Sequence, residues 1–262
     1  MSVVIFQNIP AHPLLKQYIE CYTYKRINPD TPWKPVKKIV PPNHLTSLDF
    51  FFEAPFKTTN LDTGKEIPYK TTAVRGCRLS TKYAIEYSEP FSTFSLKFTP
   101  TGLYSLLGIS MNKVTDADIP CNELPFLFDI EYMHHCMKSC NDITEHINII
   151  EQKLIEVLSK KANTARLTAH IKAAAKKQPQ GFHLSVRQQQ RLFLEEIGLS
   201  PKAYNCLKRF SRLLRAIKHE EKVIWTKIAY EFGYFDQAHL IKDFHAFLGI
   251  SPRQFNADSY AI

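Results

Sequence analysis

The sequence has no apolar run approaching the ~20 residues needed to span a bilayer, so no membrane helix and no membrane partner are expected. Its opening, MSVVIFQNIPAHPLL, lacks a basic stretch and a small-residue cleavage site, and with no export signal legible a cytoplasmic location is expected. Six cysteines (Cys21, Cys77, Cys121, Cys136, Cys140 and Cys206) stand at no framework spacing, which in a reducing compartment means free thiols. A phosphate loop, a nucleophile elbow and a paired-carboxylate motif are all missing. The chain therefore does not read as an enzyme, and it offers neither a catalytic residue nor a cofactor. His134, His135 and Cys136 with Cys140 make half a zinc set on one presumed helix. Such half sets are more commonly packing, so no metal is expected.

Charge is present in abundance but unevenly placed. The total is +9. From Lys160 onward there are 18 Lys and Arg against 8 Asp and Glu, net +10, whereas residues 1–159 hold 16 against 17, net −1. A basic half beside a near-neutral one is the electrostatic footprint of a polyanion-binding module joined to something else. With 262 residues there is room for two modest domains.

The amino-terminal half reads as β-rich. Ile9 to Tyr24 carries Leu14, Leu15, Tyr18 and Ile19 at helix-like spacing, a short helix running into a strand. Thr31 to Pro42 holds Pro32, Pro35, Pro41 and Pro42, each without a backbone donor, and no regular structure is expected there. Ser47 to Glu53, Tyr69 to Arg75, Lys82 to Tyr87 and Phe91 to Thr99 have strand composition, with a turn at Asp62-Thr63-Gly64. Leu103, Leu106 and Leu107 mark a short helix ended near Gly108, Asp116 to Pro125 reads as loop, and Leu127 to Lys161 as mostly helical. The stripe Ile143, Ile147, Ile150, Leu154, Ile155 and Leu158 either covers the β core or pairs with its twin in a homodimer. The class is α+β: a small β-barrel or sandwich with helices over residues 1–160, then an all-α domain over 163–262. The boundary falls at the polar run Lys160 to Thr164, ahead of a helix from Ala165 to Lys177 that Pro179 and Gly181 end.

The richest stretch is Val223 to Phe255. Ile224, Ile228 and Ala229 form one apolar stripe and Leu240, Phe244, Phe247 and Leu248 another, with Gly233 at the corner and Asp236 placed to cap the second helix. This is helix-turn-helix grammar. Ala238, Lys242 and His245 lie opposite the buried stripe, with Gln237 and His239 near the first turn, side chains suited to a major groove. Upstream, Ser185 caps a helix reaching Ile197, Gly198 closes it, and Ser200-Pro201 starts a linker helix to His219, about 27 Å long at ~1.5 Å per residue. Phe193 and Ile197 should face inward and Arg187, Gln188, Arg191 and Glu195 outward.

Ile228-Ala229, Gly233-Tyr234, Asp236-Gln237, His239-Leu240, Phe244, Phe247, Gly249, Ser251-Pro252 and Phe255 resemble the second helix-turn-helix of the AraC/XylS transcriptional regulators. Ser185 to Phe210 resembles that family's first recognition helix and linker helix. The resemblance covers roughly the last 80 residues and implies a regulator that binds double-stranded DNA, with an amino-terminal domain that senses a small-molecule effector or mediates dimerisation. Two departures weaken the first unit. Only one helix is apparent ahead of Ser185 where the family has two, and Gln189 occupies a position that is apolar in the family. Burying an unpaired amide costs on the order of 1 to 3 kcal/mol. That unit is therefore expected to be degenerate, loosely packed or inactive in reading bases.

Base reading is assigned to Gln237, His239 and Lys242 with Asp236 capping, and in the first unit to Arg187, Gln188 and Arg191. Phosphate contacts are assigned to Lys208, Arg209, Arg212 and Lys227. Trp225, Phe232, Tyr234 and Phe235 read as core and corner packing and not as stacking platforms. Two other functions compete. One is a DNA alkylation-repair protein holding metal on Cys77, Cys121, Cys136 and Cys140, although these lack paired C-x-x-C elements. The other is a degenerate relative that acts through protein contacts.

Overall fold

The computed structural model describes residues 3–28, 35–53, 56–68, 70–81, 83–87, 91–140, 142–174, 185–218, 220 and 223–261. Its amino-terminal part is built on a six-stranded antiparallel sheet. From one edge to the other the strands are β1 (Val3–Pro10), β2 (Ile19–Asn28), β9 (Phe91–Phe98), β4 (Thr46–Glu53), β7 (Thr72–Arg75) and β10 (Asp118–Pro120). A second, four-stranded sheet has the order β3 (Val36–Val40), β8 (Tyr83–Tyr87), β5 (Lys57–Asn60) and β6 (Glu66–Ile67).

Register decides what each face of the larger sheet carries. Leu48 stands opposite both Leu96 and Val74, and Phe50 opposite Phe94. With Tyr22, Phe52 and Phe98 they form one apolar face. Alternation then sends Ser47, Asp49, Arg75, Ser95 and Lys97 to the other face. The apolar face is covered by helices α1 (Gly102–Leu107), α2 (Ile130–Lys138) and α3 (Ile143–Ala174), through Leu103, Leu106, Met133, Met137, Ile150 and Leu154. Ile143, Ile147, Ile150 and Leu154 thus cover the β core.

The opposite face is unusual in being charged. Asp49 is 1% exposed, with Arg75 Nε at 3.3 Å and Lys97 Nζ at 3.8 Å, and Ser47 Oγ donates to it at 2.9 Å. Burial alone would push this carboxyl up; Lys97, Arg75, Ser95 and Ser47 outweigh burial and hold it below the ordinary aspartate value. Asp118 joins the network through Arg75 and Arg78.

Several sequence expectations are corrected here. Thr31 to Pro42 is not wholly irregular, because β3 lies within it: residues 36–40 contain no proline, and every donor of the strand is intact. The segment around Leu14 and Leu15 is a succession of turns and not a helix, with Leu15 N donating to His12 O and Tyr18 N to Leu15 O. Asp116 to Pro125 is not all loop, since it supplies β10 and a 3-10 turn at Cys121–Glu123. The run Lys160 to Thr164 falls inside the single helix α3, with no break in the backbone. Pro179 and Gly181 lie outside the described residues.

The carboxyl-terminal part is helical, comprising α4 (Val186–Ile197), α5 (Pro201–Ile217), α6 (Trp225–Glu231) and α7 (Gln237–Leu248). It is fastened to the β part at both ends. Ile197 and Leu199 pack with Cys77, Tyr204 and Leu207, and Thr115 Oγ1 donates to Gly198 O at 3.2 Å. Near the other end Tyr260 forms a parallel bridge to Ile39 of β3, and Ala261 N donates to Ile39 O at 2.8 Å.

Candidate nucleic-acid interface

The second helix-turn-helix is made by local chemistry. Gly233 takes φ +72° in open space, so the corner needs its backbone freedom and not its small size. Asp236 then caps α7, its Oδ1 accepting from His239 N at 2.7 Å. Gly249 ends the helix at φ +71°. The buried side of α7, Leu240, Phe244 and Leu248, packs on Phe210, Leu213, Leu214 and Ile217 of α5. Phe244 meets the rings of Phe210 and Trp225 edge-on at 5.1 and 5.3 Å. The other side leaves Gln237, Ala238, Lys242, His245 and Ala246 exposed. This is a narrow face of small and hydrogen-bonding side chains on the outside of the molecule.

Two residues assigned to DNA are instead drawn inward. Arg209 Nη2 donates to Asp243 Oδ2 at 2.9 Å and to His239 Nε2 at 3.2 Å, while its guanidinium lies 4.1 Å from the centre of the Tyr234 ring. His239 in turn stands edge-on to Tyr234 at 5.2 Å. The four side chains form a clamp joining α5 to α7, so Arg209 is not part of a solvated stripe and His239 turns away from the outer face. Gln237 and Lys242 remain there.

In the first unit Ser185 and Gln188 form a capping box: Ser185 N donates to Gln188 Oε1 at 2.8 Å and Gln188 N to Ser185 Oγ at 3.3 Å. The Gln188 carbonyl is thereby engaged by the backbone at the start of α4. Arg187 and Arg191 are exposed one turn apart. Glu195, expected outward, accepts from Tyr104 OH of α1 at 3.3 Å. The side chain of Gln189 lies outside the described residues.

On α5, Lys208 and Arg212 are exposed, whereas Arg215 reaches the β part and donates to Asn43 Oδ1 at 3.3 Å. Lys227 on α6 sits 3.6 Å from Glu231 in an exposed pair worth little. Sequence reasoning misplaced Phe235. Tyr234 is buried, but Phe235 beside it is 93% exposed, and Tyr230 is 87% exposed.

The cysteines of the repair reading are poorly suited to it. Cys77 and Cys121 are buried, and burial pushes both thiols up to about 12, opposite to what a metal-bound or nucleophilic thiolate requires. Cys140 Sγ donates to Cys136 O at 3.4 Å within α2 and its turn. Among the described residues no group of three or more His, Cys, Asp or Glu is placed to hold a metal ion, and no helix is long and apolar enough to cross a membrane.

One histidine at the junction of the two parts has a measurable consequence. His44 is 8% exposed, edge-on to Tyr204 at 6.0 Å, and its Nδ1 has no hydrogen-bond partner among the described residues. Burial, with Arg215, Lys208 and Arg212 nearby, pushes it down to about 4 from 6.5. The unfolded chain then binds a proton between those values that the folded chain does not. Stability should therefore fall as pH drops through that window, by up to about 3 kcal/mol, and level off below it. His44→Phe should remove that part of the slope. Denaturant melts of the two proteins from pH 7 to 4 check this, and identical acid slopes would refute it.

A family model described as a helix-turn-helix domain matches residues 180–258, and one described as a domain of unknown function matches residues 7–120. No curated protein matches the chain. Among solved structures, ToxT from Vibrio cholerae is 11% identical with a TM-score of 0.41, covering 92% of this chain and 98% of that one. ToxT bound to (E)-4-(8-methylnaphthalen-1-yl)but-3-enoic acid is 12% identical with a TM-score of 0.39, covering 94% and 96%. The cupin domain of an XRE family transcriptional regulator from Enterobacter cloacae is 9% identical with a TM-score of 0.25, covering 37% of this chain and 97% of that one. Residues 180–258 thus form a helix-turn-helix domain of the AraC type, a DNA-binding module of transcription regulators.

Proposed function

We propose that this chain is a one-component, sequence-specific regulator in which α7 reads bases with Gln237 and Lys242, and Arg187 and Arg191 of α4 make a second set of contacts. Lys208, Arg212 and Lys227 hold phosphates, which positions the protein without selecting sequence. Asp236 supports the reading indirectly by fixing the start of α7. The observation that carries this reading is the outer face of α7: a capped helix presenting Gln237, Ala238, Lys242 and His245 to solvent within a segment of net charge +10. We divide the chain functionally at residues 160 to 163, with the core-packed half of α3 belonging to the amino-terminal domain.

For that domain we favour sensing of a small molecule over assembly as a dimer. A cleft of about 550 Å³ lies beside β7 and β10, lined by Lys70, Thr71, Thr72, Asn122, Glu123 and Glu131, a size that suits a small ligand. Its wall residue Asp118 accepts from Arg78, Arg78 N donates to Asn43 O at 2.8 Å, and Asn43 accepts from Arg215 of α5. An occupant of the cleft would thus meet the first link of a bonded chain that ends on the linker helix.

The test is selection of sites from a random duplex library by the full chain, followed by binding at several salt concentrations. The expected result is an enriched site whose affinity falls steeply with salt. Lys242→Ala should reduce the preference for that site over mixed-sequence duplex by about tenfold, the scale of one lost base contact. Failure to enrich any sequence would refute the proposal.

A further inference from the structure

The geometry points to Phe235 as a specificity residue that packs on the 5-methyl group of a thymine in the major groove; this rests on the reading of α7 as the base-reading helix. Three observations converge on it. First, the ring is 93% exposed, and the flanking side chains divide sharply, Tyr234 being buried and Asp236 turned back as the cap. Second, Phe235 immediately precedes that cap and stands two residues before Gln237, and the N-terminal end of a recognition helix is the end that meets base edges. Third, the exposed side chains of α6 and α7 include Lys227, Gln237 and Lys242 as well as Tyr230, so the two helices that flank the ring carry groups that complement a polyanion.

Chemistry then narrows the target. A phenyl ring has no donor or acceptor, so it contributes nothing to a phosphate or to the polar edge of a base. The apolar feature that a major groove offers is the thymine methyl. Insertion of an aromatic wedge between base pairs is a minor-groove device and would require α7 to leave the major groove. Packing on a methyl removes that group and part of the ring from water, and one buried methyl contributes about 0.8 kcal/mol, or roughly fourfold in affinity. Alanine or uracil, each lacking one half of the contact, should forfeit the same increment.

The experiment uses the full chain and the site it selects from a random duplex library. Each thymine of that site is replaced in turn by deoxyuridine, and the affinities of the natural chain, Phe235→Ala and Phe235→Leu are compared on every duplex. One position is expected at which uracil weakens the natural chain about fourfold, leaves Phe235→Ala unchanged, and weakens Phe235→Leu to a lesser degree. The inference is overturned if no thymine shows the effect, or if Phe235→Ala retains it, and the ring would then belong to a contact with another protein. Selection of a site that Lys242→Ala reads less well, without any coupling to Phe235, would leave the α7 reading standing and remove only this inference. With no site selected, both fall. Because the ring touches little of its own fold, Phe235→Ala is expected to melt as the natural chain does.

Discussion

Arg209→Met is expected to destabilise the carboxyl-terminal helices by about 3 kcal/mol, more than any substitution on the outer face of α7. Asp243 is 14% exposed at its side chain and Arg209 22%, so their contact at 2.9 Å is an ion pair largely withdrawn from water. Removing the guanidinium leaves a carboxylate with its main partner gone, and it also strips the cation from the Tyr234 ring 4.1 Å away. Methionine keeps much of the aliphatic volume, so the loss reports charge and hydrogen bonding rather than a cavity. Asp243→Asn should cost less, because an amide still accepts from Arg209. The double variant Arg209→Met with Asp243→Asn should be less damaged than the sum of the single changes, since it strands no charge. A denaturant-melt cycle over the four proteins measures this, and strict additivity would show that the clamp is not one unit. Because His239 is held by the same guanidinium, its ring should gain mobility in Arg209→Met, visible as a shifted and broadened imidazole resonance.

That clamp also marks where reading a sequence runs out. The second helix-turn-helix was legible because everything that makes it is local: Gly233 for the corner, Asp236 three residues from the amide it caps, and Leu240, Phe244 and Leu248 at helical spacing. Arg209 lies 30 residues from His239 and 34 from Asp243, so no periodicity couples them, and each taken alone looks like a surface group. Phe235 was misplaced for the complementary reason. Corner aromatics usually pack, and only the turn geometry reveals that Tyr234 goes in and Phe235 goes out. In the β half, β9 was legible from the alternation of Phe94, Leu96 and Phe98 with polar residues. β3 was hidden by the prolines that bracket it, and Leu14, Leu15, Tyr18 and Ile19 mimicked a helix because successive tight turns also bring residues three and four apart together. The charged interior around Asp49 was invisible, because a buried aspartate in a strand depends on Lys97 and Arg75 reaching it from neighbouring strands.

The second large effect is expected at Gly198, where the helix of the first unit ends against the β part. Gly198 has φ +83°, and a Cβ there would lie 2.0 Å from Thr115 Oγ1 and 2.9 Å from the Met111 carbonyl oxygen. Gly198→Ala therefore carries two penalties. The left-handed conformation costs alanine about 1 to 2 kcal/mol, and the contact forces the end of α4 away from Met111 and Thr115. Gly233→Ala isolates the first penalty, because it has φ +72° with nothing near its Cβ position. Thr115→Ala removes the hydroxyl that a Cβ would strike, but it also removes the bond to Gly198 O at 3.2 Å, a loss of about 1 kcal/mol. Gly198→Ala should thus exceed Gly233→Ala by about 1 to 2 kcal/mol, and adding Thr115→Ala should recover part of that difference instead of deepening it. Calorimetry on the full chain measures the losses, and amide hydrogen exchange over α4 measures undocking. Equal losses for the two glycine substitutions, or no faster exchange of the α4 amides in Gly198→Ala, would mean that α4 is not seated on the β part by this contact. If instead α4 is released, the same variant gives the direct way to ask whether docking restrains the first unit. Its salt-dependent affinity for duplex DNA should then rise above that of the natural chain, because Arg187 and Arg191 would be free to follow the groove.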